Sequence, residues 1–226
     1  MTERLLLATT NKGKARELAE IFADLPVIVQ TLDDVLREKP NVVEDGKTFA
    51  ENALKKARAL AELTGMLTLA DDSGLEVDAL GGRPGVRSAR FAHERATDSE
   101  NNAALLAALE EVRGGEGGSG ERFAARFRCA LVLVDPLVPT REPIVVEGTC
   151  EGSITRTPRG SAGFGYDPLF IVGTGEKTMA EIEDAEKNAI SHRARASVLM
   201  KARIAEVLEE RRAITETIGR AASLPK

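Results

Sequence analysis

The chain has 226 residues, with 30% charged and 42% apolar side chains and a formal net charge of -5. This is ample length for one α/β domain with a proper core, while the acidic balance argues against a protein that coats nucleic-acid backbone. Two histidines and two cysteines make too few ligands for zinc, so any metal is expected to be a hard ion held by carboxylates; the apolar runs are also too short to cross a bilayer.

The first residues, Met1 to Leu7, lack the pattern of a signal peptide, and Cys129 and Cys150 read as small buried hydrophobes. A reducing, cytoplasmic setting is therefore expected. Leu5 to Ala8 predicts a strand, Thr9-Thr10-Asn11 a polar turn, and Ala15, Leu18, Ala19 and Phe22 a helix with Asn11 as its N-cap. Backbone N–H groups at that helix start, with Lys12, Gly13 and Lys14, favour an anion, although the Walker pattern is absent because Ala15 follows Gly13-Lys14. Val27 to Thr31 predicts a second strand, and the acidic, proline-containing stretch from Leu32 to Gly46 a loop. A helix over about Thr48 to Leu63 buries Phe49, Ala53, Ala57 and Leu60 and sets Asn52 and Lys56 on another face, where they are candidates to meet a ligand.

Met66 to Ala70 predicts a third strand, ending in an acidic turn, Asp71-Asp72-Ser73-Gly74. Two adjacent carboxylates at a strand end repel one another unless a cation separates them. Magnesium takes one or two protein carboxylates and shares a substrate's phosphates, and Asp72 with Glu44 suits that site as well as an ordinary turn does. Gly81 to Gly85 marks a tight connection, Asp98 to Val112 a helix, and Gly114 to Gly120 a glycine-rich break. Arg122 to Val134 alternates as a long strand, and Ile144 to Ile154 is expected to return antiparallel. Gly160 to Gly165 leads into Phe164-Gly165-Tyr166-Asp167, an aromatic face beside a carboxylate that suits a purine; Leu169 to Val172 adds a short strand. A single helix from about Asn188 to Ile218, stopped by Gly219, carries Ser191-His192-Arg193 in its first turn, where donors match a purine's 6-oxo and N7 acceptors. Residues 1–219 are expected to form one domain, and 220–226 a frayed tail.

Each motif is ordinary by itself. In order, however, Thr9 to Lys14, Glu44 to Ala53, Ala70 to Gly74, Pro84 to Arg90, Phe164 to Asp167 and Lys187 to Arg193 resemble the inosine triphosphate pyrophosphatase family over residues 5 to about 200. The resemblance implies an elongated, two-lobed α/β fold around a mixed sheet flanked by helices, with the active site in the cleft between the lobes and a homodimeric state. It implies magnesium-dependent hydrolysis of noncanonical purine nucleoside triphosphates, ITP, dITP and XTP, to monophosphate and pyrophosphate. By position, Asp72 matches the catalytic carboxylate and Glu44 its partner on the metal, while Lys56, Ser73, Lys14 and Asn11 match groups around the triphosphate. Phe164 matches the base-stacking residue, Asp167, Lys187, His192 and Arg193 match groups that hold the base and neighbouring phosphates, and Arg90 is a weaker phosphate candidate. Thr10 departs from the smaller residue usual at its place, and the chain beyond Lys201 is longer than in compact members. Two other readings compete: a Maf-like pyrophosphatase with another base preference, and a non-catalytic nucleotide-binding regulator.

Overall fold

A computed structural model describes residues 3–113 and 122–222. The glycine-rich break expected over 114–120 and the last four residues lie outside the described residues. Six strands form one mixed sheet: β1 (Glu3–Leu7), β2 (Val27–Thr31), β3 (Leu67–Val77), β4 (Arg122–Val134), β5 (Ile144–Thr155) and β6 (Phe170–Val172), in the spatial order β2-β1-β3-β4-β5-β6. The first three run parallel and the rest antiparallel. The helices are α1 (Lys12–Ile21), α2 (Leu32–Val35), α3 (Phe49–Thr64), α4 (Asp98–Arg113), α5 (Asp184–Ile190) and α6 (His192–Ala222). Among the described residues no helix is long and apolar enough to cross a membrane.

Sheet alternation explains the two lobes. On β3, Leu67 and Leu69 join a core with Leu5, Leu131, Met200 and Ile204, whereas Leu75 and Val77 join a second core with Phe127, Phe170 and Met179. Asp71 and Ser73 share the same face between them, so a polar seam separates the two apolar clusters. A third cluster packs α3 residues Ala53, Ala57 and Leu60 onto Ala70 and Val132 from the opposite side.

The seam opens because β1 is short. Its pairing with β3 ends at Leu7 opposite Leu69, where the chain turns into α1. β3 then continues to Val77 with β4 on one edge; on the other, its far end meets the 83–88 segment through a bridge from Glu76 to Pro84 and hydrogen bonds from the Leu75 N–H to Ser88 and the Val77 N–H to Arg83, while no strand among the described residues pairs with Asp71 to Ser73 on that edge. The space beside this edge lies beyond the carboxyl end of β1, where the chain passes to β2 on one side of β1 and then returns as β3 on the other; open α/β sheets bind ligands at such a switch point.

Three expectations are corrected. The stretch from Leu32 is not all loop, because Thr31 and Asp34 cap the short α2: the Asp34 carboxylate accepts from the Thr31 backbone N–H at 2.7 Å. Asp71-Asp72-Ser73-Gly74 is not a turn but the middle of β3, paired to β4 from Thr68 opposite Val134 through Val77 opposite Ala125. Strand geometry then sends the two aspartates to opposite faces, which relieves the expected repulsion without a shared cation. The C-terminal helix is two: α5 ends at Ile190, and Ser191 starts α6, its hydroxyl accepting from the Ala194 N–H at 3.1 Å; α6 continues past Gly219 to Ala222.

Candidate active site

A cleft of about 490 Å³ lies over the edge of β3 beyond β1, lined by the turn after β1, the segment around Glu44, α3, β3, the loop before β6 and the start of α6. At one end Lys56 projects from α3 between two carboxylates, its Nζ 2.8 Å from Glu44 Oε2 and 3.6 Å from Asp72 Oδ1. Burial opposes the charge on Lys56, but Asp72 and Glu44 outweigh it and raise its pKa. The Asp72 carboxyl is also raised, chiefly by burial, with Lys56 and Lys14 working the other way. Its Oδ2 is buried and has no hydrogen-bond partner. Glu44 is held by its backbone: Arg90 donates to its carbonyl at 2.8 Å, and two residues on, the Gly46 N–H donates to Asn52 Oδ1 at 2.7 Å. Arg90 and Asn52 therefore brace the Glu44 segment; Asn52 is fully buried and does not line the cleft, whereas Arg90 does.

The turn after β1 is organised as expected. Asn11 caps α1, its side chain accepting from the Lys14 N–H at 3.0 Å, and Thr9, Thr10, Asn11 and Lys14 all line the cleft. Lys12 does not; it faces a shallower depression with Arg16 and Asp33, because it lies on the other side of the first helical turn. Gly13 has a packing role: a Cβ there would meet the Phe164 ring at 2.6 Å.

At the other end Phe164 stands beneath Lys187, 4.9 Å from Nζ to the ring centre, and beneath Arg193 at 5.6 Å. Asp167 accepts from the Phe164 N–H at 3.0 Å and from Lys187 Nζ at 2.8 Å. Burial raises the Asp167 carboxyl, against the pull of Lys187; the Lys187 ammonium, though disfavoured by burial, is raised by Asp167 and Glu17. Gly165, at φ +64°, donates its N–H to Asp98 at 2.7 Å and accepts from Asn102 at 3.0 Å. Tyr166 is buried and its hydroxyl donates to the Ser88 carbonyl at 2.8 Å, so it anchors the loop. His192 stacks on Phe127 at 4.9 Å and its Nδ1 is buried without a partner. Burial, then the neighbouring Arg193, push the His192 pKa well below its ordinary value, so its ring is neutral.

Arg193 differs most from a surface reader of the base. It is 1% exposed, and each of its three guanidinium nitrogens is engaged: Nε with Asp71 at 3.1 Å, Nη2 with Ser73 at 2.9 Å, and Nη1 with Glu17. Glu17 also accepts from Lys187 at 2.7 Å, and Asp71 pairs with Lys14 at 2.5 Å. Burial works against the Asp71 carboxylate, yet Lys14 and Arg193 hold it far below the usual range.

Sequence reasoning missed Glu17, Asp98 and Asn102 and passed over Asp71. Glu17 had a signal, since it stands three residues after Lys14 on the face of α1 that turns toward the cleft. For Asp98 and Asn102 no local pattern distinguishes the residues that clasp Gly165 from an ordinary acidic helix start.

The chain matches the Ham1 family over residues 5–203. A dITP/XTP pyrophosphatase of Geobacter sulfurreducens is 50% identical over 198 residues, 88% of this chain and 94% of that relative. Another so named, of Geobacillus kaustophilus, is 49% identical over 194 residues, 86% of this chain and 90% of the relative. Among solved structures, a HAM1 protein from Coxiella burnetii superposes with a TM-score of 0.78 at 39% identity, covering 90% of this chain and 99% of that one. The six-motif resemblance is thus borne out: the chain belongs to the Ham1 family.

Proposed function

We propose that this protein hydrolyses noncanonical purine nucleoside triphosphates, ITP, dITP and XTP, to the monophosphate and pyrophosphate. The observation that carries this reading is one cleft with a Lys56, Glu44 and Asp72 cluster at one end and an aromatic face ringed by Asp167, Lys187 and His192 at the other. Relatives named dITP/XTP pyrophosphatase at about half identity support the substrate class.

Among the described residues no group of three or more His, Cys, Asp or Glu is arranged to cage a metal. Magnesium needs no such cage, because it keeps several waters and takes phosphate oxygens beside one or two carboxylates. The unpartnered, buried Oδ2 of Asp72 fits that demand, with Glu44 as the second carboxylate. Bound there, magnesium would supply charge neutralisation on the triphosphate oxygens.

In this reading Asp72 orients a water against the α phosphorus and takes its proton. The new bond joins the water oxygen to phosphorus, the α–β bridging bond breaks, and the electron pair leaves on pyrophosphate. Lys56, 13% exposed at its side chain, and Lys14, 14% exposed, stabilise the charge that develops on the leaving group; Asn11, Thr9, Thr10 and Ser73 frame that end, while Gly13 backs Phe164 and Lys12 stands outside the cleft. At the other end Phe164 stacks on the base, with Gly165 and Tyr166 holding it in place. The neutral His192 offers its free ring nitrogen to a purine oxygen. A 6-amino group would leave buried polar atoms unmatched, a mismatch worth about 10⁴ in favourable cases. We assign the protein to the cytoplasm, supported by two buried cysteines that are not paired with one another, and to a homodimer, supported by Val198 and Leu199, which leave apolar surface on α6.

A panel of ITP, dITP, XTP, ATP and pyrimidine triphosphates with magnesium tests this. Turnover of the first three, with none by Asp72→Asn, is expected. A preference for pyrimidines favours the Maf-like reading, and tight binding without turnover favours a regulator.

A further inference from the structure

Asp71 takes no part in the hydrolytic scheme, yet it is one of the most heavily engaged groups in the cleft. It is 1% exposed, and both its oxygens are saturated by the protein. Oδ1 pairs with Lys14 at 2.5 Å and accepts from the Ser73 hydroxyl at 3.3 Å; Oδ2 accepts from Arg193 Nε and from the Cys129 thiol, both at 3.1 Å. Arg193 in turn binds Glu17, and Glu17 binds Lys187, which binds Asp167 beside Phe164. The result is an unbroken series of alternating charge: Asp167, Lys187, Glu17, Arg193, Asp71, Lys14. It runs from the base loop to the turn after β1, and within it Asp71 is the member shared between the two ends.

We propose that Asp71 is a positioning residue that sets Arg193 and Lys14 together, so that base selection and triphosphate binding depend on one buried carboxylate. This rests on the nucleotide reading of the cleft given above. Arg193 and Lys14 come from α6 and α1, and no hydrogen bond or ion pair joins them directly among the described residues. Asp71, fixed by the β3 to β4 ladder where it faces Leu131, gives both a common reference. Neutralising it leaves Arg193 with Glu17 as its one carboxylate partner, beside the Ser73 hydroxyl, drawn toward the base loop, and frees the ammonium of Lys14 to swing out from the cleft wall. Both ends move, although the altered side chain touches neither base nor phosphate. A carboxylate serving only to stabilise the fold behaves differently: its loss lowers the folded fraction equally for every substrate.

The test is Asp71→Asn, which keeps the shape and one acceptor. Two readouts separate the ends: inhibition by inorganic tripolyphosphate, which has no base, and the ratio of kcat/KM for ITP over ATP. The inhibition constant should rise about tenfold and the ratio fall about tenfold, a change in both that a uniform loss of active enzyme does not produce. A folded variant in which kcat falls while either readout stays at the wild-type value overturns the proposal. Should Asp71→Asn not fold, Lys14→Met decides it, because removing one of the two cations that Asp71 holds should lower the ITP over ATP ratio from the far end of the cleft; an unchanged ratio overturns the proposal. A wild-type protein without preference for ITP defeats the substrate reading instead, and the tripolyphosphate arm then still decides the role of Asp71.

Discussion

Gly13→Ala separates stability from function at a single atom. A Cβ built on Gly13 lies 2.6 Å from Cδ1 and 2.8 Å from Cε1 of Phe164. Carbon atoms pack at about 3.5 to 4.0 Å, so the ring must retreat by roughly 1 Å. Retreat is constrained, because the Phe164 N–H is tied to Asp167 and the next residue is clasped by Asp98 and Asn102. The ring therefore tilts about its own side-chain bonds and carries the stacking surface out of register with Lys187 and Arg193. A misplacement of about 1 Å is enough to cost up to about 100-fold in rate. Gly13 is in the first turn of α1, where alanine is favoured over glycine by up to about 1 kcal/mol, offsetting the disturbed contact. The expected result is a thermal midpoint no lower than wild type, with kcat/KM for ITP reduced about 10-fold to 100-fold and tripolyphosphate inhibition unchanged. Steady-state kinetics beside a melting curve measure both. A kcat/KM within about twofold of wild type would refute the assignment of Phe164 as a base platform braced on Gly13.

Other substitutions probe the supports of the site. In Gly148→Ala the new methyl would lie 2.2 Å from the His192 carbonyl and 2.5 Å from the Ala196 nitrogen, both backbone of α6, so urea unfolding should show a loss of about 1 to 3 kcal/mol; an unchanged midpoint contradicts the packing. Glu17→Gln strips a shared counterion from two buried cations that each keep another carboxylate, and a loss near the low end of the usual about 3 to 5 kcal/mol is expected by the same measurement, with under about 1 kcal/mol counting against it. Burial and Arg193 depress the folded-state pKa of His192, whereas an unfolded histidine titrates near about 6.5. Its stabilising contribution is therefore present above that pH and is lost as pH falls toward the folded value, because the unfolded chain takes up the proton first. Wild type should lose about 1 kcal/mol relative to His192→Gln between about pH 6.5 and 5.5, and parallel pH profiles would contradict the neutral, buried ring.

Elements fixed by short-range physics were legible in the sequence. Arg122–Val134 matches its alternation end to end, and α3 starts where Thr48 caps it, its hydroxyl accepting from the Glu51 N–H at 3.1 Å. The middle of β3 was not legible, because Asp, Ser and Gly are poor strand formers and only the ladder with β4 overrides that preference. The break at Ser191 was hidden for a similar reason: an apolar helical pattern continues past it, while the hydroxyl restarts the helix locally. In the cleft, charge-bearing types and their order along the chain were readable, and they led to the right family. What pattern does not carry is commitment. Arg193 and Lys187 look free in the sequence, but their partners Glu17 and Asp71 come from elements joined to them only by tertiary packing.

The central claim is that water attacks the α phosphorus at the Asp72 and Lys56 end of the cleft. Hydrolysis of ITP in heavy-oxygen water with magnesium, followed by mass spectrometry of the products, tests it most directly. The account predicts pyrophosphate free of label and inosine monophosphate carrying one labelled oxygen. Label in orthophosphate, or in pyrophosphate, would contradict it.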